Sequence, residues 1–141
     1  MIPPSVKNET IGAGKGEGYP DAFALEKLEN EGWLKVTRLS QGSSRLAREL
    51  SEVVGFGEAE AIALALEKKE SLLIDDLKGR RTAELYQIET TTTIGIIFEL
   101  LLSRVLPKAD YFRSIRNYAA RGWISADVLE EFIQRGESFS S

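Results

Sequence analysis

The sequence predicts an α/β fold with a short parallel sheet, built as one domain over residues 1–141, and three observations carry that expectation. Helical and strand-like segments alternate through the second half of the chain. Leu72-Leu73-Ile74 is a short continuous apolar run, the pattern of a buried parallel strand. Just before it, residues 58–69 form an alanine-rich helix with apolar side chains on more than one side, as suits a helix packed between neighbours.

Taken in order, Ile2-Pro3-Pro4-Ser5-Val6 reads as extended chain entering a helix, with proline tolerated in the first turn. Residues 12–18 hold four glycines and read as a flexible loop. A phosphate-cradling loop there would need a preceding strand and a Gly-Lys-Ser/Thr ending, and both are missing. Residues 21–31 read as a helix with Ala24, Leu25 and Leu28 along one face, ended by Gly32. Trp33-Leu34-Lys35-Val36 reads as a short strand, Gln41-Gly42-Ser43-Ser44 as a turn, and Ser44 as the cap of a helix over 45–53.

In helix 58–69, Ala59, Ile62, Ala63 and Leu66 make one stripe, while Ala61, Leu64 and Ala65 make the far side apolar too. After the strand at 72–74, residues 77–86 return to helix and 90–94 are a β-rich run of threonines. An apolar helix over 94–106 ends at Pro107. Two more helices cover 109–121 and 126–135, separated by Gly122-Trp123-Ile124-Ser125. The alternation implies a sheet with right-handed crossovers.

Composition narrows the chemistry. Hydrophobic residues make up 43% and charged residues 28%, which is ordinary globular usage and excludes wholesale disorder. Glu99 interrupts the longest apolar run, so nothing approaches the roughly 20 apolar residues of a membrane span. The first residues lack the basic and apolar regions of a signal peptide. With no cysteine there is no disulfide, and the expected location is the cytoplasm. The absence of histidine excludes Ser-His-Asp triads and histidine zinc sites. Chemistry must then rest on carboxylates, hydroxyls, Lys, Arg or a hard metal on oxygen ligands. Net charge is -4, with nine Lys/Arg against fourteen Asp/Glu over 1–76, and nine against eight over 77–141. Arg104, Lys108, Arg113, Arg116 and Arg121 form a basic strip that reads either as a polyanion contact or as a solvated helix face.

Ligands of open parallel sheets bind beyond the carboxyl ends of the strands. Asp75 and Asp76 fall there, and alternation allows only one of them into a common cleft. Asp76 equally suits the N-cap of the next helix. Glu58 and Glu60 open the alanine-rich helix about 200° apart, too far round to converge on one ion. Acids there also suit the helix dipole. Glu9 is the remaining acid of interest. Together these residues suit a hard-cation site, since Mg²⁺ takes carboxylate oxygens and retains water that can attack a phosphodiester.

Gly57-Glu58-Ala59-Glu60-Ala61-Ile62-Ala63-Leu64-Ala65, followed by Leu73-Ile74-Asp75-Asp76 with Lys78-Gly79-Arg80-Arg81, resembles the PIN-domain family, and within it the VapC-like subgroup. The likeness continues through Thr93-Ile94-Gly95-Ile96 and Gly122-Trp123-Ile124-Ser125 to Arg135-Gly136-Glu137. It covers 55–137 well and 2–40 loosely. The resemblance implies a three-layer α/β/α fold and a Mg²⁺- or Mn²⁺-dependent ribonuclease. Glu9 then matches the acid of an early helix, Glu58 (or Glu60) the acid opening the central helix, and Asp76 (or Asp75) the acid after the next strand. The family's first strand, its aspartate and the following helix, a unit of roughly 30 residues, do not precede Ile2. The expectation is therefore an N-terminally truncated PIN fold.

Two functions of different class follow. One is an endoribonuclease, the toxin of a VapBC-type toxin–antitoxin pair, with Glu9, Glu58 and Asp76 holding Mg²⁺ or Mn²⁺ and Lys78, Arg80 and Arg81 holding RNA phosphates. Its partners would be RNA and an antitoxin protein, with no membrane and a homo-oligomeric state. The other is a non-catalytic PIN remnant whose acidic cleft binds a protein partner. A small-molecule, phosphate-transferring α/β enzyme is a third reading, weakened by the lack of a phosphate loop.

Overall fold

The computed structural model describes residues 1–122 and 124–139. Trp123, which the sequence places in the turn before the last helix, lies outside them. The chain packs as two compact units, Met1–Thr90 and Thr91–Ser141. No helix among the described residues is long and apolar enough to cross a membrane.

The first unit runs α1 (Pro4–Lys7), a π-helical turn (Asn8–Ala13), α2 (Gly14–Gly16), α3 (Pro20–Asn30), α4 (Gln41–Leu50), α5 (Phe56–Lys68), β1 (Leu72–Leu73) and α6 (Leu77–Leu85), and ends as β2 (Thr90–Thr91) begins. β1 pairs with β2 in a short parallel sheet, with α6 as the crossover, as the α/β expectation required. The Leu72 amide donates to the Glu89 carbonyl at 2.9 Å. Ala59, Ile62, Ala63, Leu64 and Ala65 of α5 are all buried, so this helix has neighbours on more than one side, as its composition implied. Ile62 and Ala65 meet Leu50, Val54, Leu72, Ile74 and Ala83 in the core.

Several segments depart from the sequence reading. The glycine-rich stretch 12–18 is helical up to Gly16, not a loop; Ile11 is buried and the helix stops where Gly18 takes φ 77°. The reason is packing. A β-carbon on Gly14 would lie 2.9 Å from the Ala22 β-carbon of α3, so glycine here permits close approach of two helical segments. The strand expected at 33–36 reduces to one parallel bridge, Val36 with Ile2. Gly32 turns left-handed (φ 80°) and the Trp33 and Leu34 amides both bond to the Leu28 carbonyl, so the turn consumes the start of that strand. Trp33 is left 80% exposed.

Ser40, not Ser44, caps α4: its Oγ accepts the Ser43 amide at 3.2 Å, and Ser44 lies inside the first turn. The strand read at 72–74 is buried on one face only, since Leu72 and Ile74 are buried while Leu73 is 55% exposed. The threonine run is divided, Thr90 and Thr91 to β2 and Thr92 to a cap that accepts the Gly95 amide at 3.2 Å.

In the second unit α7 (Thr93–Leu102), α8 (Lys108–Ala120) and α9 (Ala126–Ser138) pack on one another. α7 ends before the expected Pro107, because Arg104 turns left-handed (φ 59°) and the Val105 and Leu106 amides fold back onto the Leu100 carbonyl. Pro107 instead N-caps α8. Tyr111 is fully buried, its hydroxyl donates to the Phe132 carbonyl at 2.6 Å, and burial raises its pKa above the usual tyrosine value.

The two roles of glycine make a stability contrast. Gly14→Ala is expected to cost about 1–3 kcal/mol by overpacking against Ala22. Gly12→Ala and Gly16→Ala, whose β-carbons would meet nothing within 4 Å, are expected to stabilise by about 0.5–1 kcal/mol. Urea denaturation of the three variants reads both signs.

Glu67 of α5 ties the start of α4, accepting the Ser40 amide at 2.9 Å. Its carboxyl is held down to about 2, first by the Lys68 ammonium and then by Ser43 and Ser40. A lowered carboxyl contributes stability above its ordinary value of 4.5 and loses it as pH falls toward about 2. The melting-temperature advantage of the wild type over Glu67→Gln should therefore shrink through that window, and shrink further in high salt.

Candidate active site

Two helices begin close together and bring the acids with them. α5 starts at Gly55, whose extended backbone (φ −58°, ψ 151°) makes it the N-cap. Glu58, three residues on, reaches back so that Oε2 accepts the Gly55 amide at 3.1 Å. Gly55 has no side chain, so this is the glutamate half of a capping box. α6 starts at Asp76, directly after the strand region. Asp76 Oδ2 accepts the Gly79 amide at 2.7 Å, the N-cap role its position allowed.

Gly79 is where the two acids meet. A β-carbon there would lie 3.6 Å from the Glu58 carboxyl carbon and would collide with Ile74. Glu9, from the π-helical turn, lies against the first turn of α5: a β-carbon on Gly57 would be 2.8 Å from its Oε2. Glu9 and Glu58 also line an apolar cleft of about 550 Å³, with Ile2, Val6, Leu72 and Ile74 among its walls. The amide-rich ends of α5 and α6 favour negative charge in this corner.

Of the remaining acids, Glu60 is held elsewhere. Glu60 Oε2 accepts both the Ser5 amide (3.1 Å) and the Ser5 hydroxyl, capping α1, on a different side of α5 from Glu58. Asp75 is exposed. Among the described residues, no three acidic side chains are gathered closely enough to enclose one metal ion. Glu58, Asp76 and Glu9 thus form a pair with a neighbour, not a closed cage.

On α6, Lys78 and Arg81 are exposed and three residues apart on neighbouring positions of one face. Arg80 is half-buried, and its Nε is fully buried without a hydrogen-bond partner among the described residues. Of the basic strip in the second unit, Lys108 donates to the Glu137 and Phe139 carbonyls and closes the end of α9. Arg113 pairs with Asp110, and Arg116 sits over the Phe112 ring at 5.7 Å. These three contacts favour the local, structural reading of that strip.

Sequence reasoning missed the glycines. Gly55, Gly57 and Gly79 admit the carboxylates to their positions, and the spacing Gly55-Phe56-Gly57-Glu58 was the available signal.

Because Asp76 serves as a cap, Asp76→Ala is expected to cost about 0.5–2 kcal/mol of stability. Asp76→Asn, which keeps an acceptor for the Gly79 amide, should cost little of it. Chemical denaturation separates the two variants.

A family model described as a PIN domain matches residues 1–138. No curated protein and no solved structure matches the chain. PIN domains have a nuclease-type fold, generally act on RNA or DNA and generally depend on a divalent metal. With nearly its whole length matched and with its short parallel sheet flanked by helices, the chain belongs to the PIN-domain family.

Proposed function

We propose that this chain is a PIN-type, metal-dependent endoribonuclease of the VapC-like subgroup, the toxin of a toxin–antitoxin pair. The observation that carries the reading is the meeting of Glu58 and Asp76 at Gly79, just beyond β1, with Glu9 alongside Gly57. Each of the pair commits one oxygen to a backbone amide, and the second oxygen makes no hydrogen bond to a described residue. Two carboxylates oriented in this way suit Mg²⁺ or Mn²⁺, which keeps several waters and needs only one or two protein carboxylates besides substrate phosphate. Glu58 and Asp76 would hold the ion, with Glu9 beside them; Asp75 is the alternative ligand at the strand end, while Glu60, the other acid near the start of α5, is engaged by Ser5 on another side of that helix. When bound, the cation supplies Lewis acidity and lowers the pKa of a bound water.

The protein's own contribution is placement. Hydrogen bonds from the Gly55 and Gly79 amides hold the two carboxylates, and Lys78, Arg80 and Arg81 of α6 would hold RNA phosphates. A cytoplasmic location, a homo-oligomeric state and a protein antitoxin belong to the same reading. The non-catalytic reading, a PIN domain serving as a protein-interaction module, is favoured by one observation: among the described residues no third acid closes the cage.

The test is cleavage of a mixed RNA by the purified chain in Mg²⁺ or Mn²⁺, with EDTA as control. Glu58→Gln and Asp76→Asn should lower the rate by more than the roughly 100-fold that the outer-shell partners of a metal site cost, and should abolish any metal-induced rise in melting temperature. Cleavage unchanged in both variants rules out these ligands. A folded wild type that neither cleaves nor is stabilised by metal leaves the interaction module as the function.

A further inference from the structure

Of the two acids near the start of α5, Glu58 faces Gly79 of α6, and Glu60 faces the start of α1. Residues two apart lie about 200° round a helix axis, which sends them to different neighbours. Glu60 Oε2 accepts the Ser5 amide at 3.1 Å and the Ser5 hydroxyl as well. Both residues are half-buried. α1 has little else to fix it. It is four residues long, none of them is buried, and Pro3 at its N-cap provides no side-chain acceptor. The Ser5 amide is one of the first-turn amides without an intrahelical partner, and Glu60 supplies the acceptor from another helix. Besides this clamp, the Lys7 ammonium pairs with Glu29 of α3.

What α1 carries is Glu9. The chain runs directly from α1 into the π-helical turn Asn8–Ala13, which contains Glu9. Turns of this kind are rare and recur at functional sites. Thr10 Oγ1 donates to the Val6 carbonyl at 2.7 Å and ties the turn back to α1. Glu9 itself makes no hydrogen bond or ion pair with a described residue, so its place depends on the backbone beneath it. That place is against Gly57, where a β-carbon would lie 2.8 Å from Glu9 Oε2. The two contacts between these segments are in register. Ser5 to Glu9 on one side, and Glu60 to Gly57 on the other, each span about one helical turn. The Ser5–Glu60 bonds therefore hold α1 against α5 one turn away from the point where Glu9 meets that helix.

We infer that Glu60 is a positioning residue of the acidic corner: through Ser5 it fixes α1, and so holds Glu9 beside Glu58. It takes no place among the ligands of the cation. An uncharged acceptor in its position serves the same purpose, whereas Glu58 and Asp76 act through their charge. The inference rests on the reading of Glu58 and Asp76 as ligands of a divalent cation, and the test tells the two apart.

Two readouts on the full chain decide it. Hydrogen–deuterium exchange of residues 4–13 in metal-free protein reports the clamp. Electron paramagnetic resonance of free Mn²⁺ reports the affinity for Mn²⁺ alone, without RNA. Glu60→Ala should speed the exchange and weaken Mn²⁺ binding about tenfold, the lower end of what outer-shell partners of a metal site contribute. Glu60→Gln, whose amide oxygen still accepts from Ser5, should match the wild type in exchange and bind Mn²⁺ nearly as tightly. Glu9→Gln should weaken binding in the wild type and add little in Glu60→Ala, because residues that act through one another are not additive. Should Glu60→Ala not fold, Ser5→Ala, which removes the hydroxyl bond and keeps the amide, carries the same readouts at smaller amplitude. Equal losses of Mn²⁺ affinity in Glu60→Gln and Glu60→Ala would make Glu60 a ligand and overturn the inference. So would unchanged exchange in Glu60→Ala, or faster exchange with Mn²⁺ affinity intact, the mark of a purely structural bond. A wild type that binds no Mn²⁺, while Glu60→Ala still loosens residues 4–13, sinks the metal reading and with it the role assigned to Glu60.

Discussion

The first unit depends on α5 being approachable from several sides at once. Its buried face is made of Ala59, Ala63 and Ala65 with Ile62 and Leu64, so neighbours come close without losing packing. α4 and β1 both pack on it. At its N-terminus the closeness reaches its limit, because Gly57 has room for Glu9 only as glycine. The same device recurs at Gly79 of α6, where Ile74 fills the space of a side chain. The site corner is therefore set by steric minimum, and the acids occupy what the glycines leave.

That origin explains why the acids have two roles. The first turns of α5 and α6 each present amides without intrahelical partners. Glu58 and Asp76 satisfy one amide each, which is sufficient reason for both residues in a stable fold. Capping alone, however, gives no reason for the two ends to face one glycine, with Glu9 placed alongside. Carboxylates so arranged repel one another, and the helix dipoles offset this only over the first turn. A cation is the economical way to relieve the remainder, and the same corner lies beyond the strand end, where parallel sheets bind ligands.

How much of this was legible in the sequence divides along a physical line. α5, β1 and α6 were readable because apolar periodicity and a short apolar run are local signals, and Asp76 as a cap follows from its place before a helix. Glu58 and Glu60 were correctly separated by helical geometry alone, and the structure sends Glu60 to Ser5. What failed was context. Four alternating glycines read as loop, because the close contact that makes Gly14 helical lies in α3, outside any local window. Trp33 and Val36 have strand propensity, yet the Leu28 carbonyl captures the amides of Trp33 and Leu34. Sheet content was overestimated for the same reason: β-propensity is realised only where a partner edge is at hand.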